Sequence, residues 1–324
     1  MRITISASSK YILLIDFQNL FIRQFCANKA LTTEGEPIGG VIGFLQATKN
    51  LVNQFSPNKV ICVLEGEGGA LRKRQVFAEY KKNRKTPSSP FLNETIDYSP
   101  EENKKFQTYN LVNLLKLTPI NLVYVKNAEC DDVLAWISKY KFAENKKIIV
   151  SNDKDFYQLL DEKTSIFSPA TKSIINEKYV LDKFNISAKN FLIAKIINGD
   201  PSDNINGIKG IGFKTIAKKF DFLKGDKESS LSDIFQFCEQ NHQKANVYKK
   251  IYENFSILER NWKLMKLDIN QLTAGQIKKV EYRIDNFSPK LQKIKFLKIL
   301  YEMKVDFNSF NLERFWMSIL PLGF

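Results

Sequence analysis

Histidine is almost absent from this chain: there is one in 324 residues, His242, and it sits in the polar run EQNHQK. Ser-His and Cys-His nucleophile chemistry and histidine-bound metal therefore lack their main residue. The four cysteines, Cys26, Cys62, Cys130 and Cys238, lie far apart with no CxxC pair. That spacing gives neither a zinc ribbon nor a disulfide framework and fits a reducing compartment. There is no run of eighteen apolar residues, so no membrane-spanning helix is expected. The opening MRITISASSKYILLIDF is too short in its apolar part for a targeting signal and leads into a strand. A soluble, untargeted, cytoplasmic protein is the expectation. There is no internal repeat and no long low-complexity tract.

What is abundant is charge of one sign. Lys and Arg number 49 against 35 Asp and Glu, a net charge of +14, which favours a polyanionic partner, nucleic acid before a membrane surface. At this length the chain can bury a full core in one large domain or two. YILLID (11–16) and KVICVLE (59–65) are apolar runs closing on an acid, and INLVYV (120–125) and KKIIVS (146–151) are two more β-branched runs. Helical spacing separates them in GGVIGFLQATKNLVNQF (39–55) and DDVLAWISKYKF (131–142). Strand and helix in alternation predict an α/β fold with a doubly wound, mostly parallel sheet over residues 1–176. Beyond residue 176 amphipathic helices predominate, predicting a helical part over 177–324. TPSSPFLNETIDYSPEEN (86–103) has Pro, Ser and charge without periodicity and reads as a loop or arch, within a basic insert at about 72–110.

Acids collect where such a sheet binds ligands, at the carboxyl ends of strands. In order they are Asp16, Glu65, Glu129, Asp131, Asp132, Asp153, Asp155, Asp200 and Asp203. Nine converging carboxylates repel one another unless divalent cations stand between them, and Mg²⁺ or Mn²⁺ takes its ligands from such oxygens. Two ions about 4 Å apart would activate a water and stabilise the leaving oxygen of a phosphodiester. Singly, Asp131, Asp132 and Asp153 also suit ordinary helix N-caps, and Asp16 at a strand end says little alone. The basic run LRKRQVFAEYKKNRK (71–85) follows the second strand with Arg72, Lys73, Arg74, Lys81, Lys82, Arg84 and Lys85 against Glu79. It is either a solvated helical face or the cationic partner of a scissile phosphate. In NGDPSDNINGIKGIGFKTIAKKF (198–220), Asp200 and Asp203 precede GIKGIG, read as the turn of a helix-hairpin-helix. Its glycines let backbone N–H groups approach a phosphate while Lys214, Lys218 and Lys219 add charge.

Five stretches in order, LIDFQNLFIR, VLEGEGGALRKRQVFAEYKKNR, AECDDVLA, VSNDKDFYQLL and GDPSDNINGIKGIGFKT, resemble the flap endonuclease and 5′-3′ exonuclease family. That family includes phage 5′-nucleases, phage-type RNase H and the nuclease domain of bacterial DNA polymerase I. The resemblance spans most of residues 11–220 and implies a two-metal phosphodiesterase acting on DNA with 5′ ends, flaps or nicks, or on RNA–DNA hybrid. It implies a first metal cluster of Asp16, Glu65, Glu129 and Asp131, and a second of Asp132, Asp153, Asp155, Asp200 and Asp203 with its neighbours. Lys81 and Arg84 match its active-site lysine and arginine. Arg23, Arg72, Arg74, Tyr80, Gly207, Gly210, Gly212, Lys214, Thr215 and Lys218 match DNA-contacting positions, the hairpin also holding K⁺. Glu65 stands where the family usually has Asp, moving that carboxylate by about 1.5 Å. A phage-type primer-removing member is expected, monomeric, in a bacterial or phage-infected cell, with a polymerase or single-strand-binding protein as protein partner. The alternatives are an inactive branched-DNA-binding homologue and a PIN-type ribonuclease, which is normally shorter and lacks the hairpin.

Overall fold

The computed structural model describes residues 11–83 and 99–323. The first half runs β1 (Ile12–Asp16), α1 (Phe17–Ala27), α2 (Gly39–Phe55), β2 (Lys59–Val63), α3 (Leu71–Val76), α4 (Pro100–Leu115), β3 (Asn121–Val123), α5 (Cys130–Trp136), β4 (Lys147–Val150), β5 (Thr164–Ser168) and β6 (Ser173–Ile175). The sheet order is β3-β2-β1-β4-β5-β6, parallel throughout except for β6. Chain order reverses direction between β1 and β4, where a crevice opens at the strands' carboxyl ends.

Period-two patterning buries both faces. Leu13, Ile15, Val60, Cys62, Ile148 and Val150 face a core shared with α1, α2 and α4. Ile12, Leu14, Ile61, Val63 and Ile149 face a second core built with α5. The central strands β1, β2 and β4 are thus apolar on both faces for most of their length, as a sheet covered on both sides requires. Helix α4 is held in place by the Ser99–Glu102 capping box and by Gln107, whose Nε2 donates to the Pro37 carbonyl at 2.8 Å.

Downstream follow α6 (Glu177–Phe184), α7 (Phe191–Asn198), the two-residue strands β7 (Gly199–Asp200) and β8 (Ile205–Asn206), α8 (Phe213–Lys219), α9 (Leu231–Asn241), α10 (Asn246–Glu253) and α11 (Phe255–Met265). The chain closes with α12 (Ala274–Asp285), α13 (Lys293–Glu302) and α14 (Leu312–Ile319). Helices α7 to α11 enclose a third core. The last three helices return to the sheet: Val280 and Ile284 of α12 join the second core, and Phe296, Leu300, Phe315 and Ile319 join the first. Residues 177–324 therefore contribute to all three cores.

Several expected boundaries shift. INLVYV is a strand only over Asn121–Val123, and DDVLAWISKYKF leaves α-helical geometry at Ile137 for one π-turn, Ile137–Lys141. There the Phe142 and Asn145 carbonyls bend round to accept from the buried Lys147 ammonium at 3.0 and 2.9 Å. β5 and β6, and the β7–β8 hairpin beside Asp200, are strands not anticipated beyond the four apolar runs. No helix among the described residues is long and apolar enough to cross a membrane.

Candidate metal and nucleic-acid site

A cleft of about 890 Å³ opens at the β1/β4 crevice and is lined by Asp16, Glu65, Asp131 and Asp153, with Arg23, Lys81 and Lys104 on its walls. Strand ends position the acids. Asp16 ends β1 and caps α1: its Oδ1 accepts from the Asn19 amide at 3.0 Å and its Oδ2 from the Ser151 hydroxyl at 2.9 Å. Asp153 follows β4 and caps the next turn through the Asp155 amide at 2.8 Å. Both acids therefore cap helical turns and face the cleft as well. Asn19 Oδ1 accepts from the Asn152 amide at 3.1 Å and from its side chain at 2.9 Å, tying the two strand ends together. Glu65 lies just past β2, with Oε2 3.5 Å from the Cys130 amide.

Electrostatics divides the acids into groups. Burial pushes the Asp16 carboxyl up to about 6, with the Asp153 charge adding to it against the opposing hydrogen bonds. Burial and then Asp153 drive Asp131 well above the usual carboxylate range. For these two, burial and like charge outweigh the hydrogen bonds to Asp16 and the Lys81 charge beside Asp131. Glu129, 1% exposed, is the opposite case. Burial pushes it up, but the ammonium groups of Lys73 and Lys81, each 2.5 Å away, bring it down to about 2. Lys73 also reaches Asp132 at 3.5 Å, so Asp132 faces away from the cleft into a buried Lys73–Glu129–Asp132 group.

Lys81 enters this centre through an unusual backbone. Its φ is +55°, in the left-handed region, and its amide donates to the Asp203 carbonyl at 2.9 Å. A non-glycine residue held there is strained and persists because its surroundings fix it. Beside it Tyr80 is buried, its hydroxyl 3.2 Å from both Glu129 oxygens and 3.3 Å from Asp203 Oδ2. Burial and then the Glu129 charge raise the phenol far above its ordinary value, so it remains a donor. Lys82, next in sequence, points to solvent and pairs with Glu79 at 2.9 Å.

The remaining acids gather on a lysine that the sequence reading passed over. Lys195, in the middle of the apolar helix FLIAKIIN, is buried and pairs with Asp155, with Asp200 at 2.9 Å and with Asp153 at 4.0 Å. A lone cation flanked by apolar residues is the available signal, since a lysine this buried needs a counter-charge.

Among the described residues no three carboxylates, thiols or imidazoles close tightly enough to hold an ion; lysine ammonium groups stand between the acids. The donor set nevertheless fits Mg²⁺ or Mn²⁺: it is all carboxylate oxygen, and its cleft-facing members Asp16 and Asp131 are raised by burial and by the neighbouring Asp153 charge, a repulsion that a divalent cation would relieve.

The basic and hairpin residues are dispersed. Arg84 lies outside the described residues. Arg23 lines the cleft, whereas Arg72 lines a separate groove with Trp262 and Lys263. Arg74 donates to the Tyr80 carbonyl at 3.3 Å. Between α7 and α8, Ile208 and Ile211 anchor the GIKGIG turn in the third core. A Cβ on Gly207 would lie 2.2 Å from the Asn198 carbonyl carbon. Gly210 has φ +82° and faces open space, and a Cβ on Gly212 would meet only Asn198 Oδ1 at 3.7 Å. The Thr215 amide donates to the Gly212 carbonyl at 2.9 Å. Lys214 and Lys218 line a hollow together with Lys183 and Lys224, about 410 Å³ in volume.

Comparison with known proteins adds four likenesses. A family model described as 5′-3′ exonuclease, N-terminal resolvase-like domain, matches residues 11–185. A 5′-3′ exonuclease of Aquifex aeolicus is 27% identical over 306 residues, covering 93% of this chain and 97% of that protein. Thermostable DNA polymerase I of Thermus aquaticus is 28% identical over 90% of this chain, which spans 33% of the polymerase. Among solved structures, the bacteriophage T5 flap endonuclease in complex with DNA and metal ions superposes with a TM-score of 0.63 at 18% identity, over 97% of this chain and 99% of that one. That likeness shows the fold.

Proposed function

This chain belongs to the 5′-3′ exonuclease family, and from that premise we propose that it is a divalent-metal-dependent, structure-specific 5′-nuclease acting on DNA 5′ ends, flaps or nicks. The observation that carries the reading is the cleft at the β1/β4 crevice, where Asp16, Glu65, Asp131 and Asp153 face Lys81 and Arg23. Mg²⁺ or Mn²⁺, two ions in the full form of the proposal, would supply nucleophile activation and charge compensation at the scissile phosphodiester. Asp16, Glu65, Glu129 and Asp131 would hold one, and Asp153, Asp155, Asp200 and Asp203 the other. Asp132, 3.5 Å from the Lys73 ammonium, would steady that lysine against Glu129 from behind.

The chain's own groups do the rest. Lys81, aimed by its left-handed backbone, presents an ammonium to charge that grows on the phosphoryl oxygens in the transition state. Tyr80 holds Glu129 and Asp203 by a hydroxyl that stays protonated. Ser151 and Asn19 keep Asp16 in one orientation, and the Asn19–Asn152 link sets its distance from Asp153. The GIKGIG turn with Lys214 and Lys218 grips duplex phosphates away from the cut, possession of that turn favouring this reading over a PIN-type ribonuclease. K⁺ at the turn, monomeric action and a cytoplasmic setting belong to the same proposal. Retention of the whole acid set argues against a purely DNA-binding homologue, whose affinity for phosphate would gain from losing it.

The test is digestion of 5′-labelled flap, nicked-duplex and RNA–DNA hybrid substrates with and without Mg²⁺. Short 5′ products that appear only with the metal support the proposal. Metal-independent cleavage, or release from the 3′ end, overturns it.

A further inference from the structure

The two loops that deliver Glu65 and Asp131 to the cleft lean on each other. Glu65 is followed by GEGG (66–69) after β2, and Glu129 and Asp131 come after β3 and the turn 125–128. The Asn127 amide donates to the Glu67 carbonyl at 2.8 Å, and the Gly66 amide to the Ala128 carbonyl at 3.2 Å. The packing leaves no slack. A Cβ on Gly66 would collide with the Val125 carbonyl oxygen, and one on Gly69 would lie 2.7 Å from Glu65 Oε1 and 2.9 Å from the Ala128 carbonyl oxygen. A shift of the turn is therefore a shift of Glu65 as well as of Glu129 and Asp131. What grips the turn from outside is α12, which lies beyond the residues 11–185 that the family model matches. Gln276 Nε2 donates to the Lys126 carbonyl at 3.1 Å and to the Asn127 carbonyl at 2.9 Å. Its Oε1 accepts from the Thr273 amide at 2.8 Å, one half of the capping box that starts the helix. At the other end of α12 the Arg283 carbonyl accepts from Asn121 Nδ2 at 3.2 Å, and Val280 and Ile284 lie in the second core. The side-chain amide of Gln276 thus joins a core-anchored helix to the carbonyls just ahead of the cleft acids.

We propose that Gln276 is a positioning residue for the metal centre: by clamping the carbonyls of Lys126 and Asn127 it holds the turn that spaces Glu65 from Glu129 and Asp131, and so sets the affinity of these acids for a divalent cation. The proposal rests on the nuclease reading above and adds to it a residue that acts from a C-terminal helix, outside the cleft. Groups that stand behind metal ligands act by fixing the ligands' orientation, and losing one weakens metal binding by about 10- to 100-fold.

The experiment compares Gln276→Glu and Thr273→Ala with the wild type, using Mn²⁺ alone as the probe. Glutamate serves a capping box as well as glutamine does, so Gln276→Glu keeps the start of α12 and turns the clamp's donor into an acceptor facing two carbonyl oxygens. Its Mn²⁺ affinity, read by calorimetry, should fall about tenfold. In the metal-free protein the Asn127 and Gly66 amides should exchange faster with deuterated water, while the amides of β1 keep their wild-type protection. Thr273→Ala separates the cap from the clamp. It should lower the melting temperature but leave Mn²⁺ affinity within about twofold of the wild type, because the donor to the turn is untouched. Wild-type Mn²⁺ affinity in Gln276→Glu, unchanged exchange at both amides, or a loss of affinity in both variants in step with melting temperature overturns the positioning role and leaves the nuclease reading standing. A wild type that binds no Mn²⁺ overturns the nuclease reading and the positioning role with it.

Discussion

Replacing Lys195 by methionine removes a buried cation and leaves its volume, and so isolates what its charge does. The ammonium is 7% exposed and touches Asp155 and Asp200, themselves 12% and 16% exposed, with Asp153 at 4.0 Å. Removing one member of a buried ionic group strands the others and costs roughly 3–5 kcal/mol. With a urea slope of about 3 kcal/mol/M the unfolding midpoint should fall by about 1 M or more in EDTA. Two further arms show that the cause is charge. Asp200 is pushed up by burial and brought below its ordinary 3.8 chiefly by Lys195. A carboxyl lowered in the folded state contributes stability above its unfolded pKa and loses it as pH falls through the folded value. In Lys195→Met the Asp200 carboxyl loses that lowering and protonates at higher pH, so the deficit should shrink between about pH 7 and pH 4. Millimolar Mn²⁺ should restore part of it at pH 7, because a divalent cation can stand among the same oxygens and binds the folded state alone. Urea titrations of both proteins, with EDTA and with Mn²⁺, read all three. A deficit equal in every condition would mean that Lys195 acts by packing alone, and no deficit would remove the ion group from the account.

Lys81→Ala should lower single-turnover cleavage by about 10²-fold or more with a modest loss of DNA affinity, whereas Lys82→Ala, at an exposed lysine paired only with Glu79, should change mainly affinity and its salt dependence; rate and affinity at two salt concentrations separate them. Gly207→Ala should destabilise the hairpin, since its Cβ would collide with backbone at 2.2 Å, while Gly212→Ala, which meets only a side-chain oxygen at 3.7 Å, should leave the melting temperature nearly unchanged; calorimetry of the two variants checks the contrast. Ser151→Ala should weaken Mn²⁺ binding, read by calorimetry, because Asp16 loses a 2.9 Å hydrogen bond that orients it; unchanged affinity would make that bond incidental.

Much of the site was legible because its acids follow strands. YILLID and KKIIVS each lead into a carboxylate, and a parallel sheet sends its strand ends to one edge. Helix α2 came out with its expected bounds, Gly39–Phe55, fixed by periodicity and by the Ser56-Pro57 stop. Lys73 and Lys195 were not legible: one looks like part of a solvated basic run and the other like an interruption in an apolar helix. Their roles come from carboxylates 56 to 59 residues away for Lys73 and up to 42 residues away for Lys195, contacts that no local pattern encodes. The return of α13 and α14 to the first core was hidden for the same reason, since an amphipathic helix states which face is apolar and not what covers it. The left-handed turn at Lys81 had no glycine to announce it.

The central claim is that the acid cleft does the cutting and the basic surface does the holding. It is tested most directly by Asp153→Asn, which keeps a side-chain oxygen for the 2.8 Å bond from the Asp155 amide while removing the charge. Single-turnover cleavage of a 5′-labelled nicked duplex in Mg²⁺ should fall by about 10²-fold or more, and affinity for the same DNA, measured in parallel, should stay within about twofold, less than 0.5 kcal/mol. Cleavage at the wild-type rate by the folded variant, or loss of binding in step with loss of cleavage, would contradict it.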